Sequence, residues 1–270
     1  IAFLRLLPFS IGELKGEGLL PHHAHELAFT GQYPPLYDIN RQFIVEDWFD
    51  NYIDSYLDLD VRGQINPSNL TVFKKFIQFC ATYSAQMLSM EGISKALGVS
   101  APTVKSWLSI LEASYIIHFL QPAHNNLGKT LVKTPKLYFV DSGLLCHLLR
   151  IETKEQLLLS PHKGAVIETM AVCELLKDRF NQGRRGDISY FRDLGGFEVD
   201  TIADWNHTYA IEIKSDGNLE RKYGANTRKY LELSKDADVQ GVVFYLGDIS
   251  CTVDGIRYVS WKDWPEIPPL

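Results

Sequence analysis

The chain has 270 residues, 46% of them hydrophobic and 22% charged, a globular composition that excludes disorder and is long for one ordinary compact domain. No stretch of 18 uninterrupted apolar residues occurs, which excludes an ordinary membrane-spanning helix. Cys80, Cys146, Cys173 and Cys251 stand far apart without a CxxC pair, which excludes a zinc ribbon or disulfide scaffold and fits a reducing cytosol. A net charge of −6 excludes a general nucleic-acid coat, and only residues 86–150, with 6 basic and 3 acidic groups, have a basic balance.

Residues 1–9 lack the basic start and cleavage site of a signal peptide and read as a buried strand, so the chain is expected to be a fragment. Turns and short helical pieces follow, then the loop Phe29-Thr30-Gly31-Gln32-Tyr33-Pro34-Pro35. Over residues 46–59, Trp48, Phe49, Tyr52, Ile53, Tyr56 and Leu57 recur at helical spacing. Asp47, Asp50, Asp54 and Asp58 fill the other side, the pattern of an amphipathic helix. Asn66-Pro67-Ser68 closes this unit, and residues 70–83 form a second helix along Phe73, Phe76, Ile77 and Cys80.

The next stretch has the pattern of a winged helix-turn-helix. Ser89 caps a short helix, Gly98 permits a tight turn, and Ser100 caps a second helix with Pro102 in its first turn. Val104, Trp107, Leu108 and Leu111 form the stripe of that second helix. The β-rich runs 115–120 and 131–140, joined by residues 123–130, supply the wing. In a DNA major groove the second helix offers Lys105 with Ser106 and Ser109, a thin inventory for base reading. Lys129, Lys133 and Lys136 suit phosphate contact from the wing. Such units also serve as docking modules, and both readings stand.

Residues 123–130 imitate a phosphate-binding loop, ending Gly128-Lys129-Thr130, and Asp141 after an apolar run imitates its magnesium ligand. Pro135 bars the helix that must follow such a loop, and twelve residues are too few for a crossover. ATP binding is therefore not expected at this spot.

The chemistry is concentrated after residue 161. A helix over 161–180 carries Glu168. Strands follow over 187–192, 197–202 and 209–214, then a basic helix over 219–233 and a buried strand over 241–246. Strand alternation puts Glu212 and Lys214 on one face. If the second and third strands pair as a hairpin, Asp200, Glu212 and Lys214 converge. Two carboxylates there make a hard oxygen site for magnesium or manganese, with Lys214 to orient water or stabilise developing charge, and Glu168 to add a ligand. The competing reading makes Glu212–Lys214 and Glu198–Arg192 cross-strand charge pairs on a solvated face.

This C-terminal part resembles the PD-(D/E)xK nuclease superfamily, through Glu168, Asp200 and Glu212-Ile213-Lys214 and through the order helix, three strands, helix, strand. The resemblance implies a restriction-endonuclease-like fold with Asp200 and Glu212 as metal ligands, helped by the Ile213 carbonyl, and Lys214 as catalytic. Val199 stands where the superfamily's name has proline. The whole chain resembles the C-terminal part of a prokaryotic AAA-type ATPase family that ends in a domain of unknown function. The matching pieces are Leu7-Pro8-Phe9-Ser10-Ile11-Gly12-Glu13-Leu14, Gly31-Gln32-Tyr33-Pro34, Tyr52-Ile53-Asp54-Ser55-Tyr56, Asp60-Val61-Arg62, the run from Pro135 to Leu144, Gly164 to Glu168, and Glu198-Val199-Asp200. It implies an ATPase core before residue 1, with ATP bound only there. Arg62 is either a structural residue or one that reaches a neighbour's nucleotide in an assembled ring.

The expected fold is mixed α/β and multi-domain: an ATPase-core remnant and helical lid-like segment over 1–65, a winged helix-turn-helix over 66–150, and a restriction-endonuclease-like α/β domain over 151–270. The expected function is that of a cytoplasmic AAA-type ATPase's C-terminal region, whose nuclease-like domain cuts or binds nucleic acid with Mg2+ or Mn2+. The alternative is a catalytically inactive DNA-binding or protein-interaction module attached to an ATPase. Expected partners are nucleic acid, the protein's own N-terminal ATPase domain and further copies of the complete protein, with no membrane.

Overall fold

In a computed structural model, the described residues are 4–41, 43–65, 69–124, 127–234, 236 and 238–266. In chain order they form α1 (Ile11–Gly16), α2 (Ala24–Thr30), α3 (Val45–Tyr56), α4 (Leu70–Ala81), β1 (Gln86–Met87), α5 (Met90–Leu97), α6 (Ala101–Ala113), β2 (Ile117–Leu120), β3 (Lys136–Phe139), α7 (Ser142–Leu148), α8 (Lys154–Leu159) and α9 (Lys163–Asn181). Then come β4 (Ile188–Arg192), β5 (Glu198–Asp204), β6 (Thr208–Ile213), α10 (Ala225–Ser234), β7 (Val239–Tyr245), β8 (Cys251–Val253) and β9 (Ile256–Ser260). The fold is mixed α/β with two sheets among the described residues. No helix among them is long and apolar enough to cross a membrane.

Contacts divide the chain into two units of discontinuous segments, not into three consecutive domains: residues 25–119 with 136–169, and residues 1–24 with 120–135 and 170–270.

The first unit holds helices α3 to α8. The α3 helix buries Phe49, Ile53 and Tyr56, and a π-helical turn, Leu57–Val61, continues it. The breaker Asn66-Pro67-Ser68 lies outside the described residues. On α4, Phe73 and Phe76 meet Trp107 of α6 edge-on, each at 5.3 Å, so the two expected stripes face each other. Ser89 accepts from Gly92 N, Gly98 is left-handed at φ +66°, and Ser100 accepts from Thr103 N, so both caps form as the sequence reads. The strand order is β1-β3-β2. Asp141, 1% exposed, ties the Gly-Gln-Tyr-Pro loop to α7: one oxygen accepts from Gln32 N (2.7 Å), the other from Leu144 N (2.8 Å). The imitation magnesium ligand is a buried cap. Gly31 and Gly143 are required there, since a Cβ on Gly31 would sit 2.3 Å from the Asp141 carboxylate and one on Gly143 would sit 2.5 Å from Thr30 O.

The second unit is built on a six-stranded sheet ordered β4-β5-β6-β7-β9-β8. The β4–β5 and β5–β6 pairs are antiparallel, while β6–β7 and β7–β9 are parallel. Phe191, Phe197, Val199, Ile202 and Ala210 form a core with Tyr230 of α10. The C-terminal half of α9 packs in this unit, where Ala171 O accepts from the Trp264 indole. Its Glu174 and Lys177 form a fully buried ion pair (2.9 Å), tied to the chain start through Ile11 N and Phe9 O.

Two further expectations change here. Residues 4–9 form no strand, and Leu4 and Leu6 are exposed. The two runs expected as the wing's strands lie side by side as β2 and β3, but the stretch between them does not stay a free loop and reaches β4 and its end through bridges Pro122–Tyr190 and Leu131–Asp193; Asn125 and Asn126 of that stretch lie outside the described residues. Leu131 enters a bridge and no helix follows Gly128-Lys129-Thr130, which agrees with the rejection of a phosphate loop.

Candidate active site at the meeting of β5 and β6

Val, Ile and Ala fill the inward positions of β5 and β6, which fixes the register at Thr201 opposite Ile211. One residue further along, the strands bring Asp200 beside the end of β6. Asp200 Oδ2 accepts from Ile213 N at 2.8 Å. Glu212 is 2% exposed and its Oε2 lies 2.5 Å from Lys214 Nζ. The hairpin thus brings Asp200, Glu212 and Lys214 together.

Glu212 does not sit on a solvated face. Burial, followed by the negative charge of Asp200, pushes its carboxyl up to about 7, against the pull of Lys214 and of Asn226 on α10. Its second oxygen, Oε1, is buried and makes no hydrogen bond of good geometry, the Asn226 side chain exerting only the weakest of the pulls on this carboxyl. An orphaned buried carboxylate oxygen is costly and marks a site for a further group. The Arg192–Glu198 pair, by contrast, is the half-exposed cross-strand charge pair of the competing reading, at 2.9 Å.

Glu168 belongs to the other unit. Its carboxylate accepts from the Tyr138 hydroxyl at 2.6 Å and from Lys136 Nζ at 3.2 Å. Among the described residues, no three His, Cys, Asp or Glu side chains gather closely enough to hold a metal ion. The side-chain donors the hairpin brings together are the carboxylates of Asp200 and Glu212. That set fits magnesium, which commonly takes one or two carboxylates and completes its shell with water and substrate phosphate.

Lys136 departs from its expected phosphate-contacting role. It is 3% exposed, because β3 is buried along its whole length and the ammonium is drawn to Glu168. Lys105, Lys129 and Lys133 are exposed. Lys129 and Lys133 line a groove of about 510 Å³ with Gln121, His124 and Thr130, whereas Lys105 lies in the other unit. Arg62 is exposed and paired with Asp58 at 3.6 Å, one helical turn away. The Asn226 contribution went unread in the sequence, since nothing in the spacing of an exposed amide on a basic helix marks it.

The sequence profile of the family described as "Domain of unknown function (DUF8612)" matches residues 21–155, half of the chain. The chain belongs to that family. A second profile, "Domain of unknown function (DUF4143)", matches residues 163–264, the part that carries the candidate site. Two relatives, uncharacterized proteins of Mycobacterium bovis and Mycobacterium tuberculosis, are each 27% identical over 197 residues. The match covers 71% of this chain and 43% of each relative, so the chain spans less than half their length. No solved structure matches the chain.

Proposed function

We propose that the Asp200–Glu212–Lys214 cluster is the phosphodiester-cleaving site of a nuclease-like domain, within the C-terminal region of an AAA-type ATPase. The observation that carries this reading is the buried Glu212, with one orphaned oxygen, held beside a second carboxylate and a lysine where two antiparallel strands end. Asp200, Glu212 and the Ile213 carbonyl would hold the ion. A bound magnesium or manganese ion would polarise the phosphodiester and lower the pKa of an attacking water.

The protein's own side chains do the rest. Glu212 is raised to about 7 in the metal-free protein and needs to be ionised to act as a ligand, so metal binding would release its proton. The Asp200–Ile213 contact fixes one carboxylate against the β6 backbone, which limits the rearrangement needed at the moment of reaction. Lys214 is about 29% exposed and reaches solvent, so its ammonium is placed to hold the attacking water or to meet charge developing on the phosphate. Lys129 and Lys133 would track the strand's phosphates, and Lys105 would do the same from a winged-helix-like first unit.

The ATPase part of the proposal rests on resemblance. It places ATP binding, assembly into a homo-oligomer and a cytoplasmic location with the complete protein. A second reading, a binding module that does not cut, is favoured by the way Asp200 and Lys214 already hold partners inside the site. Metal-dependent cleavage separates the two: the proposal expects cutting that needs Mg2+ or Mn2+ and is lost in Asp200→Asn and Lys214→Ala. Strand retention without cutting, in the complete protein as well, assigns the binding role.

A further inference from the structure

The end of α9 carries a second cluster, which includes none of Asp200, Glu212 and Lys214 and is braced by the turn of the β5–β6 hairpin at Trp205. Gly183, at φ +68°, turns the chain out of the helix, and Arg184 N returns to Arg179 O at 2.9 Å. Arg179 then braces the segment leading into β4. Its Nε donates to Arg185 O (3.1 Å), its Nη2 lies 3.7 Å from Asp187, and its guanidinium covers the Trp205 ring at 5.2 Å. Trp205 in turn donates to Gly186 O (3.1 Å). The Arg184–Arg185 backbone is therefore fixed from three sides, although both side chains are exposed.

These side chains line a cavity of about 160 Å³ together with Arg5, Phe180 and Gly183. Arg5 lies over the Phe180 ring at 5.1 Å, so the third guanidinium is also positioned. No carboxylate lines the cavity; Arg184 feels the charge of Asp178, one turn back on α9, but among the described residues none of Arg5, Arg184 and Arg185 forms an ion pair within 4.0 Å. Three arginines converging on a cavity without a carboxylate repel one another, and that arrangement is stabilised by an anion with several acceptor oxygens.

We propose that Arg5, Arg184 and Arg185 form a phosphate-binding pocket. Its volume admits a phosphate group with little room for a base, and the planar, multi-donor guanidinium suits a tetrahedral oxyanion. The pocket itself stands independently of the cleavage site. That its phosphate belongs to a nucleic-acid strand rests on the reading under Proposed function.

The test is binding in EDTA, where no cutting takes place, using the full chain and three probes: inorganic phosphate, a single-stranded 12-mer with a 5′ phosphate, and the same 12-mer without it. The comparison proteins are Arg184→Ala/Arg185→Ala and Arg5→Ala, with Lys95→Ala, an exposed cation of the first unit that pairs with Glu91, as a control outside both sites. The expected result is that phosphate binds, that the double variant weakens the 12-mer at least about tenfold and flattens its salt dependence, and that Lys95→Ala changes neither. Phosphate binding with no strand binding keeps the pocket and overturns the nucleic-acid source. A preference for the 5′-phosphorylated strand assigns a strand end. Equal affinity of wild type and both arginine variants for all three probes overturns the pocket. Retention of the wild-type melting temperature shows that any loss is not unfolding.

Discussion

Asp200 and Ile213 are joined across the β5–β6 hairpin by a hydrogen bond from the Ile213 amide to Asp200 Oδ2, at 2.8 Å. This contact sets a negative charge beside the buried Glu212 and is one reason why Glu212 holds its proton to about pH 7, after the larger effect of burial. Asp200→Asn removes the charge while an amide oxygen can still accept from Ile213. Carbon-13 NMR of the Glu212 carboxyl is expected to show its titration moved to lower pH. An unmoved titration contradicts the electrostatic coupling.

Glu212 also links pH to stability. Its pKa in the folded protein lies above the unfolded value, so between pH 4.5 and about 7 the folded state binds more protons than the unfolded chain. The metal-free protein is thus expected to lose stability from this group as pH rises through that window. Glu212→Gln removes the burial of a charge and is expected to be more stable than wild type at pH 8, by ~3 kcal/mol at most, with the gap closing near pH 5. Urea unfolding at the two pH values measures it.

Lys136 and Lys129 with Lys133 are expected to separate cleanly. Lys136→Ala breaks an ion pair whose lysine is 4% exposed, so it is expected to cost roughly 3 kcal/mol of stability. Its effect on the salt slope of DNA retention is expected to be nil. Lys129→Ala with Lys133→Ala is expected to do the reverse, flattening the salt dependence with little change in melting temperature. Filter binding at several salt concentrations, beside thermal melts, reads both.

Asp141→Ala is expected to damage the first unit about as much as Lys136→Ala. It strips the acceptors from Gln32 N and Leu144 N and leaves buried donors unpaired, a loss of about 3 kcal/mol. Gly31→Ala is expected to be comparably harmful, because its Cβ would meet the same carboxylate. Denaturant midpoints of the two variants check this.

Where periodicity and turn chemistry act locally, the sequence was legible. The caps at Ser89 and Ser100, the left-handed Gly98, and the facing stripes of Phe73, Phe76 and Trp107 stand as read. Strand alternation likewise put Asp200, Glu212 and Lys214 at one hairpin end. Long-range pairing was not legible. Nothing local tells residues 120–135 to bridge β4, or tells Lys136 to turn inward toward Glu168, thirty-two residues away. Helix position alone likewise does not show that the Glu168 carboxylate meets Tyr138 and Lys136. The short strands β8 and β9 escaped notice because the turn at Asp254 and Gly255, both at positive φ, interrupts a run too brief for periodicity.

The central claim is a metal-assisted nuclease site. Its most direct test is cleavage of single-stranded, duplex and branched DNA and of RNA, with Mg2+ and Mn2+, by wild type, Asp200→Asn and Lys214→Ala, for the chain alone and for the complete protein. The account predicts cutting that requires metal and disappears in both variants. Cutting that survives in the two variants, or its absence in the complete protein with either metal, contradicts it.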